Sequence, residues 1–80
     1  MMQLHLQYFA LLREQRGLRE ETVETTATTP EALYAELRAR HAFSLPGDSI
    51  RAAVNGNFVP ADTGLKPGDT IVFIPPVAGG

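Results

Sequence analysis

Apolar and polar residues alternate from the start of the chain, with Met2, Leu4, Leu6 and Tyr8 on one row and Gln3, His5 and Gln7 on the other. A period of two is that of a strand with one buried and one wet face. At Phe9 the pattern changes. The run from Phe9 to Arg16 is built mainly of good helix formers, Gly17 offers a left-handed stop, and Arg13 and Arg16 sit near the negative end of the dipole. A two-turn helix is predicted there, with Phe9 and Leu12 expected in the core. Leu18 to Thr25, centred on Val23 and alternating with Glu20, Thr22 and Glu24, reads as a polar edge strand.

Thr29-Pro30-Glu31 is a helix start: threonine can cap, proline suits the first helical position, and glutamate favours the positive end of the dipole. The helix should run to about His41. Leu33, Tyr34, Leu37 and His41 fall on one stripe at spacings of three and four, and one such stripe covers one sheet. His41 stands where a helix end favours a cation. Phe43 to Ser49, with Pro46-Gly47-Asp48, reads as a loop. Ile50 to Val54 and Phe58-Val59 flank Asn55-Gly56, the strongest hairpin signal in the chain, because a type I′ turn needs positive φ at both central residues. A second turn at Leu65-Lys66-Pro67-Gly68-Asp69 leads into a last strand, Thr70 to Ile74. Its four consecutive apolar residues, Ile71 to Ile74, predict a central position or apolar contacts on both faces.

This order of elements predicts an α+β domain, a β-grasp with a mixed sheet of about five strands and helices packed on one face, spanning residues 1–74. The second apolar row of the last strand is then left without cover from this chain, a candidate partner surface. Residues 75–80 form a separate tail.

Composition removes most other sources of chemistry. With 80 residues there is room for one core and no large enclosed active site. A net charge of −2 gives no footprint for nucleic acid. No apolar run approaches the roughly 20 residues that span a bilayer, so a soluble, cytoplasmic protein without a membrane role is expected. The absence of cysteine removes disulfides, thiolate metal sites and a thiol nucleophile together. His5 and His41 lie in different predicted elements, so no metal site is expected. Glu20, Glu21 and Glu24 read as a solvated edge. Ser44 and Ser49 lack a hydrolase elbow, and the turn glycines Gly56, Gly64 and Gly68 form no phosphate loop.

The tail differs because its features agree. Pro75 and Pro76 hold φ near −65° and favour an outward, extended path. Six residues from Pro75 to Gly80 could reach roughly 20 Å. Val77 and Ala78 are small apolar grips, Gly79 gives clearance, and Gly80 presents only its carboxyl. Of the two residues before the tail, Phe73 or Ile74 would support the partner surface, since neighbours in a strand face opposite ways. A carboxyl becomes an acyl donor once activated as a mixed anhydride; it can then pass to sulfur, giving a thiocarboxylate, or to a lysine amine, giving a tag.

Tyr8-Phe9-Ala10-Leu11-Leu12-Arg13-Glu14 followed by Gly17 resembles the opening of the small subunits of molybdopterin synthase, the MoaD family. Ala53-Val54-Asn55-Gly56 and the stretch from Leu65 to Gly80 resemble their second half, and the ending Phe-Ile-Pro-Pro-Val-Ala-Gly-Gly is the specific part. The resemblance implies a ubiquitin-like sulfur carrier whose terminal glycine, here Gly80, is adenylated by an E1-like activating enzyme using ATP and Mg. A persulfide donor system then supplies the sulfur of the thiocarboxylate. The tail, Phe73 to Gly79 leading to Gly80, would enter the synthase large subunit, which holds the catalytic side chains and forms dithiolene on the cyclic pyranopterin precursor. A heterotetramer is implied, and no cofactor bound by this chain. Carriers for thiamine or transfer-RNA thiolation, and protein modifiers, share the motifs.

Overall fold

The computed structural model describes residues 1–76. Strands β1 (Met2–Tyr8), β2 (Glu20–Thr25), β3 (Arg51–Val54), β4 (Asn57–Val59) and β5 (Thr70–Ile74) form one sheet in the order β2-β1-β5-β3-β4. Only β1 and β5 are parallel; the other neighbours are antiparallel. This is the β-grasp predicted from the order of elements, with β5 in the middle and β2 at an edge.

Helices α1 (Ala10–Arg16) and α2 (Pro30–His41) bury their apolar stripes on one sheet face. Leu4, Leu6 and Tyr8 of β1, Ile71 and Phe73 of β5, and Ala52 of β3 meet Leu12, Leu33, Tyr34, Leu37 and Phe43 there. Thr29 Oγ1 accepts from the Ala32 amide at 3.2 Å and Pro30 follows as the first helical residue, so α2 begins where its capping residues dictate. Asn55 and Gly56 have φ of 51° and 90°, the I′ signature that fixes the β3–β4 register.

Four readings need correction. Phe9 is the residue before α1 and is 46% exposed; the sharp reversal at Ala10, with φ of 49°, turns it outward, whereas Leu12 is fully buried as expected. Glu21 is not part of a solvated edge: it shares the inner row of β2 with Val23 and Thr25 and is half-buried. His41 ends α2, but burial and the nearby Arg16 charge lower its pKa, so the neutral ring is favoured despite the helix dipole. Within the 43–49 loop, Gly47–Ser49 makes a single 3-10 turn, closed by Ser49 and Ile50 amides on the Pro46 and Gly47 carbonyls.

Candidate functional site: the collar at the root of the tail

Because β1 and β5 run parallel, both end at the same edge of the domain, and Tyr8, the last residue of β1, is the register partner of Phe73, one residue before the end of β5. The chain leaving β5 therefore emerges beside the start of α1. Ile74, Pro75 and Pro76 form one wall of an open groove of about 540 Å³, and Phe9, Ala10, Leu11 and Leu45 form the other. Leu11 is 37% exposed. A helix with Leu11 and Leu12 adjacent can bury only one of them, and Leu11 is left to the collar.

The collar is held in place by polar contacts. The Tyr8 hydroxyl donates to Glu21 Oε2 at 2.7 Å, and Arg16 grips the same carboxylate through both oxygens at 2.7 and 2.9 Å. This knot ties the end of β1, helix α1 and β2. The hydrogen bonds from Arg16, then that from Tyr8, hold the Glu21 carboxyl below its ordinary value, while burial and the neighbouring carboxylate push the Tyr8 phenol far up. On the other side, Gln15 Nε2 donates to Ser44 Oγ at 2.8 Å and the Ser44 amide donates to Gln15 Oε1 at 3.1 Å. The Tyr34 hydroxyl donates to the Leu45 carbonyl at 2.8 Å. Leu45 is thus held between α1, through its neighbour Ser44, and α2, through its own carbonyl.

From the groove an apolar strip continues over the outer sheet face. Val72 and Ile74 point outward from β5, and Val72 lies beside Ala53, itself paired with Phe58. Phe58 is 57% exposed, and the Arg51 guanidinium lies 4.3 Å from its ring centre. A neighbouring cleft brings Arg13 and Arg19 beside Phe9, together with Glu20, whose carboxylate reaches His5 at 3.2 Å. Arg13, Arg19 and Arg51 make no ion pair among the described residues. The root of the tail is therefore apolar at its centre and cationic at its rim.

Of the residues expected to serve the tail, Ile74, Pro75 and Pro76 line the groove. Phe73 does not: it is 1% exposed and packs edge-on against Tyr34 at 5.4 Å, so it supports the surface from beneath. Val77, Ala78, Gly79 and Gly80 lie outside the described residues. Phe9, Leu11 and Leu45 were not read as site residues from the sequence. The adjacent leucines and a leucine directly before Pro46-Gly47 were the available signals.

Among the described residues the arrangement brings together no convergent set of acid, base and nucleophile. It can present a surface and a chain end. Comparison with known proteins gives this a context. The ThiS family model matches residues 6–80. The molybdopterin synthase sulfur carrier subunit of Escherichia coli is 38% identical over 76 residues, 91% of this chain and 94% of that protein. Among solved structures, the complex of subunits 1 and 2 of the molybdopterin-converting factor of Helicobacter pylori matches with a TM-score of 0.68 and 25% identity, covering 99% of this chain and 100% of that one. Small archaeal modifier protein 1 of Methanosarcina acetivorans matches with a TM-score of 0.78 and 27% identity, covering 100% and 98%. With matches spanning nearly its whole length, the chain belongs to the ThiS family, with the molybdopterin synthase sulfur carrier subunits as its relatives.

Proposed function

We propose that this chain is the sulfur-carrier subunit of a molybdopterin synthase and that the Gly80 carboxyl is its working group. In the cytoplasm, an E1-like enzyme would adenylate Gly80 with ATP and Mg, and a persulfide donor would convert the adenylate to a thiocarboxylate. Val77, Ala78 and Gly79 would then guide the end into the large subunit, whose own side chains install the sulfurs of the dithiolene. The observation that carries this reading is the collar. Phe9, Leu11, Leu45, Ile74, Pro75 and Pro76 form an apolar surface that no other described residue covers, beside the point where a sequence without reactive side chains follows β5. Such a surface suits a partner that grips the root while the end reaches a distant active site. The complex of the two Helicobacter pylori subunits supports this partner class.

Reconstitution with an activating enzyme, ATP, a sulfur source, a large subunit and pyranopterin precursor tests it. Intact mass should show one oxygen of the chain exchanged for sulfur, and molybdopterin should form. Removal of Gly80 should abolish both and leave the fold unchanged. An unchanged mass with a competent cognate enzyme would overturn the reading. Likeness to an archaeal modifier favours one second reading, transfer of Gly80 to lysines of other proteins. Conjugates that require Gly80 and form without large subunit would establish it.

A further inference from the structure

Asparagine followed by glycine is the pairing most open to ring closure, because glycine carries no Cβ to hinder the backbone nitrogen that attacks the asparagine carboxamide. Asn55 and Gly56 are both exposed, and nothing lies within 4 Å of where a Cβ on Gly56 would stand. The Asn55 side chain is nevertheless tied. Its Nδ2 donates to Asp69 Oδ1 at 2.9 Å, its Oδ1 accepts from the Thr70 amide at 3.0 Å, and the Asn55 amide donates to the Thr70 carbonyl at 2.8 Å. Asp69 is itself anchored. Its Oδ2 accepts from the Lys66 amide at 2.9 Å and its carbonyl from the His5 amide at 3.0 Å. The hydrogen bond from Lys66, then that from Asn55, holds the Asp69 carboxyl below its ordinary value, so it is charged at neutral pH.

We propose that Asn55 is a site of spontaneous deamidation and that Asp69, with Thr70, holds it closed in the folded chain. In the reaction the Gly56 backbone nitrogen attacks Asn55 Cγ. A carbon–nitrogen bond forms, the bond from Cγ to Nδ2 breaks, and the departing nitrogen leaves as ammonia with the electron pair, taking up through water the proton that Gly56 gives up. Water then opens the cyclic imide at either carbonyl, leaving aspartate or isoaspartate at position 55. Attack requires Cγ to rotate onto the Gly56 nitrogen, whereas both polar atoms of the carboxamide are bonded to Asp69 and Thr70 at the start of β5. Those bonds have to break first. The products undo the same contacts. A carboxylate has no hydrogen to donate, so in place of the Nδ2 bond two like charges meet at Asp69. Isoaspartate also lengthens the backbone inside a turn whose positive φ at both residues sets the pairs Val54 with Asn57 and Ala53 with Phe58. Ala53 and Phe58 belong to the outer apolar strip beside Val72, so a reaction in the turn reaches that surface. Nothing at the tail takes part.

The test follows the whole chain at pH 8 by peptide mapping with mass detection, scoring the exchange of a side-chain NH2 for OH. The chain has two asparagines, Asn55 and Asn57, so fragment masses assign the reaction to one of them. Conversion should fall on Asn55, slowly in the folded parent and far faster in the parent unfolded by urea. Asp69→Ala, shown folded by circular dichroism, should convert roughly 10- to 100-fold faster than the folded parent, the factor that corresponds to losing one hydrogen bond to a charged group. Asp69→Asn keeps an oxygen that can accept from Asn55 but loses the charge, so its rate should fall between the two; it decides the matter if Asp69→Ala does not fold. Conversion of Asn57 in place of Asn55 overturns the proposal. So does a folded parent that reacts as fast as the unfolded chain, or a folded Asp69→Ala or Asp69→Asn that reacts no faster than the parent.

Discussion

Leu11 and Leu12 are neighbours of one type with opposite fates, and the difference is measurable. Leu12 is fully buried, so Leu12→Ala should cost about 2–5 kcal/mol through lost transfer energy and the cavity left behind. Leu11→Ala should change stability by about 0.5 kcal/mol or less, as at other exposed sites, yet weaken capture by a large subunit at least fivefold. Urea denaturation and a binding titration on the same pair separate the two effects. Ala42 closes α2 with φ of 55°, a conformation in which its Cβ is a liability, and its amide bonds to the Arg38 carbonyl. Ala42→Gly should raise stability by about 1 kcal/mol, because only the steric penalty of the left-handed position is removed. No gain in the urea midpoint would show that Ala42 is not strained.

At the level of elements, α1 is placed by the Tyr8–Glu21–Arg16 knot and the Gln15–Ser44 pair more than by its own short stripe. Seven residues hardly make a helix alone, so tertiary contacts hold it. Glu21→Gln should cost roughly 1.5–3 kcal/mol, the range for a hydrogen bond to a charged group. Acid should act on the same knot. The folded pKa of Glu21 lies below its ordinary 4.5, so the unfolded chain protonates first. Its contribution is therefore complete above 4.5 and is lost as pH falls through the folded value. His41 acts in the same direction from a higher pH: its folded pKa is below 6.5, so the unfolded chain takes up the proton first and stability begins to fall as pH drops below 6.5. Urea midpoints at pH 7.5, 5.5 and 3.5 should decline in two stages. His41→Gln should flatten the first stage and leave the second.

For the whole molecule, the balance of charge misleads. A net charge of −2 suggests indifference to anionic surfaces, yet Arg13, Arg19 and Arg51 ring the apolar root of the tail without ion pairs among the described residues. A partner that grips this root should present acidic residues around an apolar seat. Association with the large subunit should then slow about tenfold between 50 and 500 mM salt, with dissociation changed less, because screening acts mainly on encounter. Arg13→Glu with Arg19→Glu should remove most of that salt dependence in stopped-flow measurements. An association rate indifferent to salt in the parent chain would show that the rim faces solvent in the complex.

What the sequence determined by itself is the set of elements and their order. Period-two alternation in β1, the Thr29-Pro30 start of α2 and the Asn55-Gly56 turn are local statements, each enforced by backbone sterics or a single hydrogen bond, and the structure repeats them. The chemistry expected of the tail was likewise local, carried by residue types near Gly80. Tertiary structure decided which side chains face outward. In β5 every residue from Ile71 to Ile74 is apolar, so no pattern could tell that Phe73 goes inward and Ile74 outward; the pairings with β1 and β3 fix it. Phe9 to Leu11, Leu45 and Ile74 to Pro76 come from three separate stretches and become one collar only because parallel β1 and β5 end side by side. Such a surface arises from distant segments brought together, and no run of adjacent residues encodes it.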